Sequence, residues 1–224
     1  MLKPADFSAV IFDMDGLVLD TESTYRAAWR QAALALGHEF DESFFLALSG
    51  LQSRDVEQAL RVYCGDGFNL NEFNRLSALY WRRHVYAHGI EVKHGFRLLL
   101  EFLIRQNIPY CLATNSSAAN AYECLELAGL KDVFAIVVTR DQVRQGKPAP
   151  DIFIEAAACL AVPIDRCLVL EDSHAGIEAA SRAGALPVLI PSVLPVDALT
   201  AGLCEGMAND LEQLLLALQD AMRT

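Results

Sequence analysis

The sequence is short of positive charge, of long apolar runs and of paired cysteines, and each shortage removes a class of function. Eighteen basic residues stand against 29 acidic ones, a formal net charge of −11. That balance disfavours the phosphate backbone of a nucleic acid and the surface of an anionic membrane, so neither is expected as a partner. A local site can still oppose the global field, which leaves a small anionic substrate open. No apolar run approaches bilayer-spanning length, and the first ten residues lack a basic segment followed by an apolar one, so a cytoplasmic protein is expected. The cysteines, Cys64, Cys111, Cys124, Cys159, Cys167 and Cys204, include no Cys-x-x-Cys pair, and no histidine lies at ligand spacing from one of them. They read as reduced core thiols, and a zinc site is not expected.

What is present is a chain of 224 residues with 53% hydrophobic content, enough for a substantial core in one large domain or in one domain carrying an insertion. Ala9 to Phe12 is short, bulky and partly β-branched, which predicts a buried strand, and Asp13-Met14-Asp15-Gly16 follows where that strand leaves its sheet. Open α/β sheets bind ligands at that edge. In an extended chain Asp13 and Asp15 share a face, and two close carboxylates call for a cation or for unlike protonation states. Gly16 permits a sharp turn or close approach to a ligand. The same four residues also suit a plain Asx turn, so this stretch alone does not choose.

From about residue 21 the periodicity turns helical. Helices are predicted from Tyr25 to the stop at Gly37 and over 42–48, 54–63 and 70–86, with no strand between them. Beyond Gly89 the pattern alternates. A helix over 95–105 is followed by apolar runs over 110–114, 135–139, 167–171 and 186–190, each separated from the next by a helical segment. This βαβ grammar predicts an α/β parallel sheet core, residues 1–20 and 92–224, with an α-helical block inserted after the first strand at 21–91.

Three later segments carry polar residues where a sheet ligand would sit. The run at 110–114 ends in Thr114-Asn115-Ser116-Ser117 before a helix at Ala118, an arrangement able to hold a phosphate through free backbone N–H groups and the Thr114 hydroxyl. Asn115 or Ser116 could instead simply cap that helix. In Gly146-Lys147-Pro148-Ala149-Pro150-Asp151 the prolines predict a stiff, extended mount for Lys147, which is then either a charge partner for phosphate and aspartates or an ordinary surface lysine. The run at 167–171 ends in Glu171-Asp172-Ser173-His174, a second acid pair suited to a hard divalent cation. His174 reads either as a base or as a capping and packing residue.

Taken in order, Asp-x-Asp-Gly, then Thr, then Lys-Pro, then Glu-Asp resembles the haloacid dehalogenase superfamily over the whole chain. The stretches from Phe12 to Glu22, from Gly146 to Phe153 and from Leu170 to Ile177 look most like its β-phosphoglucomutase-like branch. The resemblance implies a Rossmann-like core with a helical cap after the first strand. It implies that Asp13 is the nucleophile of an aspartyl-phosphate and Asp15 the acid and base. Mg²⁺ would be held by Asp13, the Asp15 carbonyl and Asp172, with Glu171 acting through water, while Thr114, the Asn115 backbone and Lys147 hold the phosphoryl oxygens. Asp15 sets the chain apart from the dehalogenases and phosphonate hydrolases, which lack an acid there. The family's mutases carry a histidine where this chain has Tyr25, a lysine near Ser117 or Ala118 and another that aligns with Ser49, whereas Arg54 matches their substrate-loop arginine. The resemblance therefore implies an Mg²⁺-dependent phosphatase of a small phosphorylated metabolite, with a sugar phosphate as one candidate class and a β-phosphoglucomutase-like mutase as the alternative; a monomer is expected. Tyr25, Gln52, Arg54, and Arg82 or Arg83 are the cap candidates for substrate specificity, although Arg82, Arg83 and His84 also read as a solvated helix face.

Overall fold

Four apolar residues with no polar interruption cannot lie on a solvated sheet face, and β1 (Ala9–Phe12) is buried at every position. The computed structural model describes residues 3, 5–48, 53–65, 67–192 and 194–223. They fall into two compact units, Met1–Leu19 with Val92–Thr224, and Asp20–Glu91.

In the first unit β1 is central in a six-stranded sheet with β2 (Tyr110–Ala113), β3 (Val137–Val138), β4 (Cys167–Glu171), β5 (Leu186–Leu189) and β6 (Gly206–Met207), in the order β3-β2-β1-β4-β5-β6. Every pairing is parallel. Alternation along β1 sends its side chains to two layers. Ala9 and Ile11 join a core cluster with Ile152, Phe153, Ala179 and Ala180. Phe12 makes edge contacts with Phe96, Tyr110 and Phe134 at centroid distances of 5.6, 6.5 and 6.0 Å. Here the fold is the expected α/β sheet with helices around it.

The differences are local. The expected strand over 135–139 shrinks to the two residues of β3, and β6 had no periodic signal because two residues, one a glycine, cannot show alternation. β2 stops at Ala113, although the ladder runs one step further, with the Thr114 N–H donating to the Val138 carbonyl at 2.9 Å. The prolines do not hold the approach to Lys147 extended. Residues 146–149 turn, and the Ala149 N–H donates to the Gly146 carbonyl at 2.9 Å. Cys111, Cys124 and Cys167 are buried, but Cys64 and Cys204 are half-buried and Cys159 is exposed, so only part of the expected thiol core exists; all six are free.

The second unit contains α1 (Thr21–Ala35), α2 (Glu42–Leu48), α3 (Ser53–Cys64) and α4 (Leu70–His88). The Asp20 and Asn69 side chains cap α1 and α4 by accepting the N–H groups of Ser23 and Glu72. The helices close over a cluster that includes Ala32, Ala33, Leu60, Phe68 and Phe73. Among the described residues no helix is long and apolar enough to cross a membrane.

Candidate active site

The site begins where β1 runs out. The Asp13 N–H still donates to the Leu170 carbonyl of β4, 3.0 Å away, so the neighbouring strand fixes the first acid although it lies past the strand end. The chain then folds back on itself, with Gly16 N–H to Leu19 carbonyl at 2.9 Å and Leu19 N–H to Met14 carbonyl at 2.9 Å. Gly16 has φ +86°, and a Cβ there would lie 2.0 Å from Asp172 Oδ2. The turn expected of this glycine is realised, and its close approach is to the Asp172 carboxylate.

Lys147 is buried, 6% exposed, which excludes an ordinary surface lysine. Its ammonium pairs with Asp13 Oδ1, lies 2.6 Å from Glu171 Oε1 and donates to the Ala113 carbonyl at 2.9 Å, with the Phe153 ring 5.0 Å away. Its backbone is held by Asn115 in a reciprocal pair, Lys147 N–H to Asn115 Oδ1 at 2.9 Å and Asn115 Nδ2 to the Lys147 carbonyl at 3.1 Å. The Asn115 side chain is thus committed to the lysine loop and does not cap the helix.

Asp15 faces a different set of partners. Its Oδ2 accepts from Ser116 Oγ at 3.0 Å and from Thr114 Oγ1 at 3.3 Å, while Thr114 Oγ1 accepts the Ser116 N–H at 3.0 Å. Ser117, rather than Asn115 or Ser116, caps the helix Ala118–Leu127. Ser116 was weighed only as a cap. Its contact with Asp15 leaves no local sequence signal, because the two residues are joined only by the pairing of β1 with β2.

Glu171, the last residue of β4, has no exposed surface. Its Oε2 accepts from the Asp172 N–H and Ser173 Oγ, both at 3.2 Å. Oε1 touches the Lys147 ammonium but completes no hydrogen bond of good angle. A Cβ at Gly176 would lie 1.9 Å from Glu171 Cδ, so the carboxylate occupies the space that a side chain there would need. His174 is not part of this group: its Nδ1 lies 2.6 Å from Thr200 Oγ1, the packing role of its two expected ones.

Asp13, Glu171 and Asp172 each offer a carboxylate oxygen, and those oxygens lie within 4.8 Å of one another. The Asp15 carboxylate is not in that cluster. Burial pushes the Asp13 carboxyl up to about 8, with Lys147 opposing and Glu171 and Asp15 adding to the rise. Burial pulls the Lys147 ammonium toward neutrality, yet Asp13 and Glu171 outweigh it and hold its pKa above the ordinary lysine value. One buried cation does not balance these acids. An oxygen-only set of three carboxylates with an unsatisfied buried Oε1 fits a hard divalent cation such as Mg²⁺.

The haloacid dehalogenase-like hydrolase family profile matches residues 7–184. The chain belongs to that family. Among its relatives is a phosphorylated carbohydrates phosphatase of Thermotoga maritima, 33% identical over 176 residues, 79% of this chain and 81% of that one. Another is a β-phosphoglucomutase of Bacillus subtilis, 30% identical over 214 residues and 93% of each chain. A solved Thermotoga maritima structure described as a candidate β-phosphoglucomutase superposes with a TM-score of 0.81 at 29% identity, covering 96% of this chain and 99% of that one. The haloacid dehalogenase-like fold is thus the fold of this chain.

The cap candidates lie in the helical unit. Tyr25 is half-buried and stacks on Trp29 and Trp81, with centroids 6.2 and 5.6 Å away. Gln52 lies outside the described residues, and Arg54 starts the first turn of α3 with its side chain outside them. Arg82 and Arg83 are exposed on α4 and His84 is half-buried.

Proposed function

We propose that the chain hydrolyses a small phosphorylated metabolite, with a sugar phosphate as the favoured class, through an aspartyl-phosphate on Asp13. Family membership and a named phosphatase relative support phosphoric monoester hydrolysis. The observation that carries the mechanism is the meeting of Asp13, Lys147, Glu171 and Asp172 around one point, with Asp15 and Thr114 beside it.

In this reading Asp13 attacks phosphorus. The leaving oxygen takes a proton from Asp15, whose carboxylate is aimed by Ser116 and Thr114. Asp15 then removes a proton from the water that cleaves the acyl-phosphate. Lys147, Thr114 and the Asn115 backbone would hold the phosphoryl oxygens, and Asp13, the Asp15 carbonyl and Asp172 would hold Mg²⁺, with Glu171 acting through water. When bound, the ion supplies charge neutralisation and alignment, which dominate catalysis of phosphoryl transfer.

Hydrolysis of a chromogenic phosphate monoester is expected to need Mg²⁺, to stop on chelation and to fall at least a thousandfold in Asp13→Asn, comparable to loss of a nucleophile elsewhere. Activity retained in that variant would remove Asp13 from the chemistry. The 30% identity to a β-phosphoglucomutase over nearly the whole chain favours a second reading, phosphosugar mutase. Tyr25 in place of the mutase histidine speaks against it. Incubation with β-glucose 1-phosphate and a bisphosphate activator separates the two: inorganic phosphate is expected, and glucose 6-phosphate without phosphate release would establish the mutase.

A further inference from the structure

In the helical unit, α1 and α4 border a groove of about 670 Å³ lined by Arg26, Arg30, Arg83, His84, His88 and Tyr80 among others. Among the described residues no aspartate or glutamate lines it. That is a biased distribution, since residues 21–91 hold seven basic and nine acidic side chains in a chain of net charge −11. Arg26 and Arg83 make no ion pair among the described residues.

The groove is partly organised in advance. The Arg30 guanidinium sits 5.3 Å from the Phe45 ring centroid, and the His84 and His88 rings stack at 4.7 Å with His88 Nδ1 3.0 Å from the His84 carbonyl. Arg26 from α1 and Arg83 from α4 bring like charge into one groove, which a bound anion would offset. Guanidinium groups from two walls match the oxygens of a phosphate bidentately, and the volume is that of a small-molecule site. The groove is also separate from the aromatic stack of Tyr25. At 3.6 residues per turn Arg26 and Arg30 share one face of α1, and Tyr25 and Trp29 share another.

The geometry points to a second anion site in this groove, for a soluble small molecule carrying two or more phosphate groups. It stands apart from the residues assigned to hydrolysis and does not rest on that assignment. Titration calorimetry with inorganic tripolyphosphate in magnesium-free, low-salt buffer tests it. Binding is expected, and the double variant Arg26→Gln, Arg30→Gln is expected to weaken it at least tenfold while hydrolysing a chromogenic monoester within about twofold of the wild type. In the wild type the amide resonances of Ala27 and Ala87, which line the groove, are expected to shift on titration. Unchanged affinity in the double variant, or unmoved Ala27 and Ala87 signals, overturns the site. A tenfold loss of monoester hydrolysis in a double variant that melts at the wild-type temperature overturns its separateness from the reaction.

Discussion

At the residue scale, the proposed catalytic cluster is an excess of buried negative charge tied to one lysine. Asp13 carries a carboxyl pushed up to about 8 by burial, against an ordinary value near 3.8. A raised acid contributes stability that is fully present below its unfolded pKa and is lost as pH rises through its folded one. Chelated protein is therefore expected to lose thermal stability between roughly pH 4 and 8. Asp13→Asn should flatten that fall, and Mg²⁺ should reverse it by binding more tightly as the proton leaves. Melts across this range with chelator or Mg²⁺ check both; a wild-type profile parallel to that of Asp13→Asn would contradict them. Gly176 makes a second case. Because a Cβ would overlap the Glu171 carboxylate, Gly176→Ala is expected to weaken Mg²⁺ binding at least tenfold, read by calorimetry, by moving a group it never replaces. The sequence shows Gly176 only as an unfavourable residue early in a helix, with nothing to say what approaches it.

At the element scale, the strands that carry chemistry are those whose pattern is easiest to read. β1 and β4 are uninterrupted apolar runs closed by acids, and their bounds match the predicted ones. β3 and β6 are two-residue edge strands held by neighbours rather than by propensity, so their limits follow from pairing that no local window contains. Ser116 was missed for a related reason, since its partner Asp15 lies 101 residues away. β1 also joins stability to geometry. Phe12 is packed edge-on against Phe96, Tyr110 and Phe134, one residue before Asp13. Phe12→Ala is expected to cost about 3–5 kcal/mol of folding free energy, measured by denaturant unfolding, and a cost below about 1 kcal/mol would show that the strand is not anchored there.

At the scale of the whole molecule, four segments far apart in sequence meet because parallel strands place their ends on one edge of a sheet. That made the family and the core cluster legible: no single motif was decisive, but their order was. Substrate choice was not legible: of the residues proposed to set it, Tyr25 is engaged with two tryptophans and Gln52 lies outside the described residues. The net charge of −11 also conceals one local reversal, the arginine-lined groove between α1 and α4. The most direct test of the chemistry is acid quenching during turnover of a phosphate monoester with Mg²⁺, followed by mass spectrometry of the peptides. A phosphoryl adduct on Asp13 that disappears with chelator and in Asp13→Asn is expected; an adduct on another residue, or turnover in Asp13→Asn, would contradict the proposed nucleophile.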